Sequence, residues 1–214
     1  MSNTNTIRIT VSGTLVALVM FGSPANAASA TAQQVDFSNP AFAPVTGTTS
    51  IPVGANDFCK RSRTDCAPNS RVVDVETLTS TRWEQLVAVN DQVNTAITPE
   101  TDQDNYKVAE YWTYPTDGRG DCEDIALEKR RELMAAGWDA STLLMTVVRE
   151  RNGDGHAVLM VRTDRGDLIL DNQNARVLVW TDTPYEYIKR QSQADAGRWV
   201  GLNDDRATIT AAAN

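Results

Sequence analysis

Basic residues are scarce in this sequence. Lysine and arginine together number 20 against 28 aspartates and glutamates in 214 residues, which gives a formal net charge of -8 at pH 7. Proteins that bind nucleic acids need a basic surface that neutralises phosphate groups. We therefore expect no nucleic-acid partner.

The sequence also lacks an apolar run of the roughly 20 residues needed to cross a bilayer. Its first apolar run, VSGTLVALVMF at 11–21, follows a short polar segment with Arg8 and precedes Ala25-Asn26-Ala27. These are the three parts of a secretory signal peptide. We predict that residues 1–27 are a signal peptide and that the chain is exported, in preference to an uncleaved anchor or a core helix.

Cysteine is rare as well, and the number of cysteines, three, is odd. Cys59 and Cys66 lie in a turn-rich stretch and could close a small disulfide loop, since an exported protein meets oxidising conditions. Cys122 then remains unpaired. An unpaired cysteine in an exported protein is either a reactive thiol or a buried, inert side chain, and the count favours neither.

The first part of the mature chain has no helical or strand periodicity. Residues 28–70 are predicted to be an extended leader, and residues 71–78 a short strand or an irregular segment. A helix follows, because apolar side chains recur at helical spacing and Thr81 with Glu84 forms a capping box. Its apolar positions are Trp83, Leu86, Val87, Val93 and Ile97.

Residues 98–120 are predicted to be a polar connection, although they contain several aromatic side chains. These are Tyr106, Tyr111, Trp112 and Tyr114. They either cap the hydrophobic core or form a wall of a substrate groove.

A second helix is predicted within GRGDCEDIALEKRRELMAAGW, residues 118–138. Asp121 suits the N-cap position, and Gly137 suits the left-handed residue that ends a helix. The apolar stripe consists of Ile125, Ala126, Leu133 and Met134. Lys129, Arg130 and Arg131 are interpreted as a solvated face. Cys122 sits between two acids at the first turn, where negative charge disfavours a thiolate.

Four strand-like runs follow, joined by short turns, at 142–148, 156–161, 167–171 and 176–180. Connections this short cannot hold crossover helices, so the sheet is predicted to be antiparallel. The predicted fold class is therefore α+β, with helices followed by a β-meander in a main domain of residues 71–202. Residues 203–214 are predicted to be a flexible tail.

The chain contains a single histidine, His156. A hairpin turning at Asp164-Arg165 would place Asp171 diagonal to His156 on one face of the sheet, so that Asp171 could fix the imidazole tautomer. A Cys122 thiolate would gain from the helix N-terminus and from a protonated histidine. Nucleophile, base and orienting group are thus all available, although spacing alone does not exclude three unrelated residues.

Several segments together resemble the bacterial transglutaminase-like cysteine proteinases. They are GRGDCEDIALEKRRELMAAGW, DGHAVLMV, LILDNQNARVLVW, FCKRSRTDC, WEQLVAVNDQVN and EYW. The resemblance, which covers about residues 57–200, implies a papain-like, transglutaminase-like core in which the nucleophile helix packs on an antiparallel sheet. It also implies that Cys122 is the nucleophile, His156 the general base and acid, and Asp171 the orienting residue.

The resemblance further implies a calcium-dependent periplasmic protease. In such proteins the acids that flank the cysteine contribute calcium ligands, here Asp121 and Glu123. Bound Ca2+ would cancel their charge, whereas the alternative is that acids simply suit a helix N-terminus. The implied partners are a protein substrate in the cell envelope or on the cell surface and a regulatory protein of the inner membrane.

The expected reaction is hydrolysis of a peptide or isopeptide bond by an exported thiol hydrolase. The backbone N–H of Cys122 is the expected oxyanion donor, and the Trp112 indole is a weaker candidate for a second. Two alternatives stay open. The chain could be an amidase or transglutaminase that acts on cell-wall peptide, or a non-catalytic envelope binding module with a calcium-stiffened loop.

Overall fold

The computed structural model describes residues 37–38 and 40–206. The predicted signal peptide lies outside the described residues, as do residues 28–36 of the predicted leader and residues 207–214 of the predicted tail. Within the described part of the chain, no helix is both long and apolar enough to cross a membrane.

Seven strands form one sheet in the order β1-β9-β8-β4-β5-β6-β7, and two short strands form a separate parallel pair. The strands are β1 (Val45–Thr49), β2 (Thr98–Pro99), β3 (Arg119–Gly120), β4 (Leu143–Arg149), β5 (Gly155–Thr163), β6 (Gly166–Leu170), β7 (Leu178–Val179), β8 (Glu186–Gln191) and β9 (Trp199–Leu202). The helices are α1 (Val53–Arg61), α2 (Ser80–Ala96), α3 (Asp102–Asn105) and α4 (Cys122–Ala135). All pairs in the large sheet are antiparallel, and the predicted α+β class is confirmed.

The meander from β4 to β7 follows from the short turns between apolar runs. β5 pairs with β6 in the predicted register, with Leu159 opposite Leu170 and Thr163 opposite Gly166. Gly166 has a φ of +105°, and a Cβ there would lie 2.6 Å from the carbonyl oxygen of Ala41, so this turn requires glycine. β6 is buried along its whole length, as its apolar run predicts.

Residues 45–61 of the predicted leader are not an extended segment. They form β1, which pairs with β9 at the sheet edge, and α1, which carries Cys59. Helix α1 buries Ala55 and Phe58, and the Phe58 ring meets Tyr114 edge-on with centroids 5.8 Å apart. Two buried side chains in a short helix leave only a weak periodic pattern, so tertiary packing determines this helix.

The predicted helix over residues 81–97 is present as α2, but its N-cap differs. Thr79 caps the helix by accepting a hydrogen bond from the backbone N–H of Arg82 at 3.2 Å. Thr81 lies inside the first turn, so the predicted capping box is wrong. Leu86, Val93 and Ile97 are buried as expected.

The second predicted helix is present as α4, which packs against β5, β4 and α2. The predicted solvated face is wrong, because Lys129 and Arg130 are buried and only Arg131 is exposed. The Arg130 guanidinium donates to the carbonyl of Leu143 at 3.0 Å. Met134, placed in the apolar stripe, is 39% exposed. Neighbouring elements therefore bury more of the surface of helix α4 than the positions of its apolar residues alone predict.

Candidate active site

Cys122 is the first residue of α4, and its thiol is free. The partly buried thiol donates a hydrogen bond to Oε2 of Glu123 at 3.0 Å. The backbone N–H of Ala157, next to His156, donates a hydrogen bond to the sulfur. The start of α4 and the start of β5 therefore meet at the thiol.

His156 lies near the start of β5, opposite Val148 of β4, and is buried. Its Nε2 lies 2.9 Å from Oδ1 of Asp171, the residue that follows β6. Because Nε2 is paired with the carboxylate, Nδ1 is the nitrogen left for proton exchange with another group. The predicted contact between histidine and aspartate is thus present, beside the backbone group that touches Cys122.

Asp171 is held from three further directions. The N–H of Gln173 donates to Oδ1 at 3.0 Å, and the hydroxyl of Tyr185 donates to Oδ2 at 2.5 Å. The side-chain amide of Asn94 in α2 donates to the Asp171 carbonyl at 2.9 Å. Burial alone would raise the pKa of Asp171, but the hydrogen bonds from His156, Tyr185 and Gln173 hold it below its usual value. The carboxylate that faces the imidazole is therefore ionised at neutral pH.

The thiol, in contrast, is in an environment that favours its proton. Burial raises the pKa of Cys122 well above its usual value, and the charge and hydrogen bond of Glu123 raise it further. The N–H of Ala157 acts in the opposite direction. Cys122 is therefore protonated at neutral pH.

Two acidic clusters share Asp121. One consists of Asp121, Cys122 and Glu123, and the other of Asp102, Asp121 and Asp124, with ligand atoms within 4.8 Å of one another in each. Asp121 occupies the N-cap position but makes no capping hydrogen bond, and its Oδ1 is buried without a partner. Oδ2 of Asp124 is also buried without a partner. Both oxygens are thus available to a ligand.

The connection between residues 98 and 120 brings Asp102 to this cluster. β2 pairs with β3, which closes the connection at its base and places α3 beside the start of α4. The N–H of Thr113 donates to Oδ1 of Asp124 at 2.7 Å, and the N–H of Tyr111 donates to Oδ2 of Asp102. Backbone donors from this connection therefore fix two carboxylates of the cluster.

Burial raises the pKa of Asp124 to about 8 and that of Glu123 to about 9, and the charge of Asp121 acts in the same direction. Burial also raises the pKa of Asp102. Carboxyl groups that are buried together and repel one another form a site that a divalent cation can neutralise. The electrostatics of the cluster thus favour either bound protons or a bound cation.

The sequence analysis singled out Asp121 and Glu123 but missed Asp102 and Asp124. Asp124 follows Asp121 at a spacing of three residues, which places both on one side of the first helical turn. That spacing was a usable signal. Asp102 is 19 residues away from Asp121 and gives no comparable signal, because only the pairing of β2 with β3 brings it near.

The Trp112 indole is engaged elsewhere. Its N–H donates to Oε2 of Glu110 at 3.2 Å, and its buried ring lies against Gly54 of α1 and Trp199 of β9. Because the one donor of the indole already has a carboxylate acceptor, the geometry argues against the predicted oxyanion role. Trp112 belongs to the hydrophobic core, which is the first of the two roles that the sequence analysis offered for these aromatic side chains.

Cys59 and Cys66 are joined in a disulfide whose Cα atoms are 5.4 Å apart. The bridge ties the end of α1 to the turn that follows. Arg61, in the last turn of α1, donates to the carbonyl of Trp112 at 2.7 Å and stacks over the Tyr111 ring. The bridged segment thus supports residues 98–120, whose backbone N–H groups donate hydrogen bonds to Asp102 and Asp124.

The comparison that decides the family is a match over residues 45–207 to the family described as bacterial transglutaminase-like cysteine proteinase BTLCP. The chain belongs to this family. As a bacterial transglutaminase-like cysteine proteinase, it is a cysteine peptidase. None of the curated proteins matches it.

Solved structures of Legionella pneumophila LapG are similar to this bacterial transglutaminase-like cysteine proteinase. The EGTA-treated form is 27% identical with a TM-score of 0.48, over 58% of this chain and 73% of that one. A second LapG structure is 27% identical with a TM-score of 0.48, over 61% and 75% of the two chains. The calcium-bound form is 21% identical with a TM-score of 0.46, over 64% and 83%.

Proposed function

We propose that this cysteine peptidase is exported and hydrolyses a peptide bond in a cell-envelope or surface protein, with Cys122 as nucleophile, His156 as base and acid, and Asp171 as orienting residue. One observation carries the proposal. Helix α4, which begins with the free thiol, packs against β5, and β5 carries a buried histidine whose Nε2 lies 2.9 Å from a carboxylate.

This arrangement supports the following reaction. Nδ1 of His156 accepts the thiol proton, and the Cys122 sulfur attacks the carbonyl carbon of the scissile bond. Nδ1 then gives the proton to the leaving amine as the C–N bond breaks and a thioester remains. Water, deprotonated by the same nitrogen, attacks the thioester and releases the acid and the free thiol. The first N–H groups of α4 have no partner within the helix, so the N–H of Cys122 can donate to the oxyanion.

We propose a substrate groove on the Tyr185 side of the site. A groove of about 670 Å3 is lined by Tyr185 and by residues on both sides of it, and it reaches the turn between β4 and β5. Tyr185 itself contacts both His156 and Asp171. The groove adjoins the site through Tyr185, and neither Cys122 nor His156 is among its lining residues.

We also propose that Ca2+ controls the reactivity of the thiol. Asp102, Asp121 and Asp124 fit a hard cation, because their carboxylates are gathered within 4.8 Å and two buried oxygens lack partners. Glu123, which clusters with Asp121 and Cys122, would join this set from the cysteine side. A bound cation would displace the protons that Glu123 and Asp124 hold at neutral pH, and its positive charge would lower the pKa of the nearby thiol. The acids beside the thiol would thus hold the charge that favours its thiolate.

Export is proposed because the sequence begins with the three parts of a signal peptide, and the Cys59–Cys66 bridge suits an oxidising compartment such as the periplasm. An envelope location implies a protein substrate there or on the cell surface. A regulatory protein in the inner membrane is the proposed partner.

The test is capture of the substrate with the inactive Cys122→Ala protein in Ca2+-containing buffer. The captured protein is then incubated with wild-type enzyme, and the products are weighed by mass spectrometry. Hydrolysis gives two fragments whose masses together exceed the substrate by one water, whereas acyl transfer gives cross-links that contain no added water. Capture without any cleavage by the wild type would favour a binding module instead.

A further inference from the structure

The two oxygens of the Asp171 carboxylate have different partners. Oδ1 meets Nε2 of His156 at 2.9 Å and the N–H of Gln173 at 3.0 Å. Oδ2 accepts the hydroxyl of Tyr185 at 2.5 Å. A carboxylate bonded through one oxygen only can still turn about its Cβ–Cγ bond, so the Tyr185 hydroxyl fixes the plane in which Oδ1 faces the imidazole.

The ring of Tyr185 also contacts His156. The two ring centroids lie 5.3 Å apart with an angle of 53° between the planes, and Tyr185 is buried. Its backbone is fixed too, because the carbonyl of Tyr185 accepts a hydrogen bond from Arg206 at 2.9 Å and the next residue begins β8. One rigid side chain therefore touches two members of the proposed triad.

We propose that Tyr185 is a positioning residue of the active site, which orients Asp171 through its hydroxyl and His156 through its ring so that Nδ1 faces the thiol. This inference rests on the proposed roles of Cys122, His156 and Asp171. The Tyr185 hydroxyl acts on the histidine through Asp171, since it is directed to the carboxylate.

The protonation of Tyr185 suits this role. Burial and then the hydrogen bond to Asp171 raise the pKa of Tyr185 far above its ordinary value. The hydroxyl therefore keeps its proton at every pH at which the fold is studied, and it acts as a permanent donor to Oδ2.

The single histidine allows a direct test by nitrogen NMR. Protein grown with 15N-labelled histidine reports on His156 alone, and the shifts of its two ring nitrogens show which one carries the proton. In the wild type we expect the proton on Nε2. In Tyr185→Phe we expect the ratio of Nε2–H to Nδ1–H to fall, because Oδ2 loses its donor and Oδ1 is no longer held facing Nε2.

Tyr187→Phe is the matched control. Tyr187 is buried in β8, and its hydroxyl lies 2.9 Å from that of Thr183. Its phenylalanine variant loses a comparable hydrogen bond, so it should unfold more easily but keep the wild-type tautomer ratio. A Tyr185→Phe spectrum identical to that of the wild type overturns the proposal for Tyr185 alone. A wild-type proton on Nδ1 would instead overturn the His156–Asp171 pairing on which the proposed function depends.

Discussion

At the scale of single residues, the reactivity of Cys122 is governed by the groups around its sulfur. Burial raises the pKa of the Cys122 thiol, and Glu123, which accepts a hydrogen bond from the thiol, raises it further. The N–H of Ala157 favours a thiolate. The first turn of a helix and a protonated histidine also favour a thiolate. Burial and the neighbouring acids oppose these effects. The balance between the two sets of effects therefore decides how much thiolate forms.

The role of His156 gives the first prediction. Removal of a general base and acid costs roughly 10²–10⁴-fold in rate. We expect His156→Ala to lose hydrolysis of the captured substrate by that factor, because the chain has no second imidazole to replace it. Asp171→Asn should lose less, since the base remains but its tautomer is no longer fixed. The measurement is the initial rate of fragment formation at saturating Ca2+.

Unfolding midpoints of both variants serve as the control for intact structure, because both side chains are buried. Added imidazole should restore part of the rate of His156→Ala if the cavity admits it. Near-normal hydrolysis by folded His156→Ala would contradict the triad.

At the scale of helices and strands, local pattern predicted the elements that have strong periodicity. The apolar runs of β5 and β6 and the turn at Asp164-Arg165 were enough to predict their register, and with it the position of Asp171 near His156. β8 and β9 were missed. β8 reads EYIKRQ and buries Arg190 and Gln191, so its polar residues give no alternating pattern, and β9 is only four residues long. Whether such segments form strands depends on contacts with residues that are distant in the sequence, and a short stretch of sequence does not show those contacts.

In helix α4, the local sequence likewise did not reveal that basic residues are buried by distant segments. Lys129 was interpreted as solvated because lysine usually is, but it lies on the same side of the helix as Cys122, two turns further on, and is fully buried. Its Nζ has no hydrogen-bond partner within the described residues. Burial lowers the pKa of Lys129 to about 7, and the charge of Asp171 partly offsets this effect.

A second prediction follows from that buried lysine. The folded-state pKa lies below the unfolded value, so between about pH 7 and 10.4 the unfolded chain binds more protons and stability rises with pH. Lys129→Met removes the cost of burying the charge, and replacement of buried charges by apolar groups often stabilises by about 1–4 kcal/mol. We expect a higher free energy of unfolding than in the wild type at pH 7, with a smaller difference at pH 10.

Urea unfolding at the two pH values measures this effect. Lys60→Met is the control, because Lys60 is exposed on α1 and pairs with Asp57 at the surface. A Lys129→Met protein that is less stable than the wild type at pH 7 would show that the ammonium group stabilises the core instead.

Helix α1 and its disulfide give a third prediction. A bridge that closes a loop of this length stabilises by about 2–3 kcal/mol through the unfolded chain. The double variant Cys59→Ser with Cys66→Ser should lose that amount, and its Ca2+ affinity should also fall, because α1 supports the connection that carries Asp102. Denaturant unfolding and calorimetry measure the two effects.

Cys122→Ser is the control for this pair of substitutions, since it removes a thiol without removing a cross-link. Iodoacetamide labelling of the folded wild type should modify Cys122 alone. Labelling of Cys59 or Cys66, or a double variant as stable as the wild type, would contradict the structural role of the bridge.

At the scale of the whole molecule, the excess of acidic residues has a local consequence. The formal charge of -8 includes carboxyl groups that are buried together at the start of α4, where they cannot all ionise without a counter-charge. Protons or a cation must therefore occupy this part of the molecule as the pH rises. The stability of the whole fold is therefore linked to pH through these few groups, and it would be linked to any cation that they bind.

The sign of this linkage gives the last prediction. Glu123 and Asp124 have pKa values of about 9 and about 8 in the metal-free fold, above the usual values near 4 in an unfolded chain. Between these limits the folded state holds protons that the unfolded state has lost, so metal-free stability falls as pH rises from about 4 to about 9. A Ca2+ ion at this cluster would displace the same protons and would therefore bind more tightly at high pH. We expect Ca2+ to raise the unfolding midpoint more at pH 8 than at pH 5.

Thermal unfolding in EDTA and in Ca2+ at the two pH values measures the difference. Asp102→Asn with Asp124→Asn should be more stable than the wild type in EDTA at pH 8, because two buried charges are gone, and it should no longer respond to Ca2+. The control pair Asp91→Asn with Asp182→Asn neutralises exposed carboxylates and should keep the wild-type response. An equal effect of Ca2+ at both pH values, or a response that survives in Asp102→Asn with Asp124→Asn, would place the cation away from this cluster.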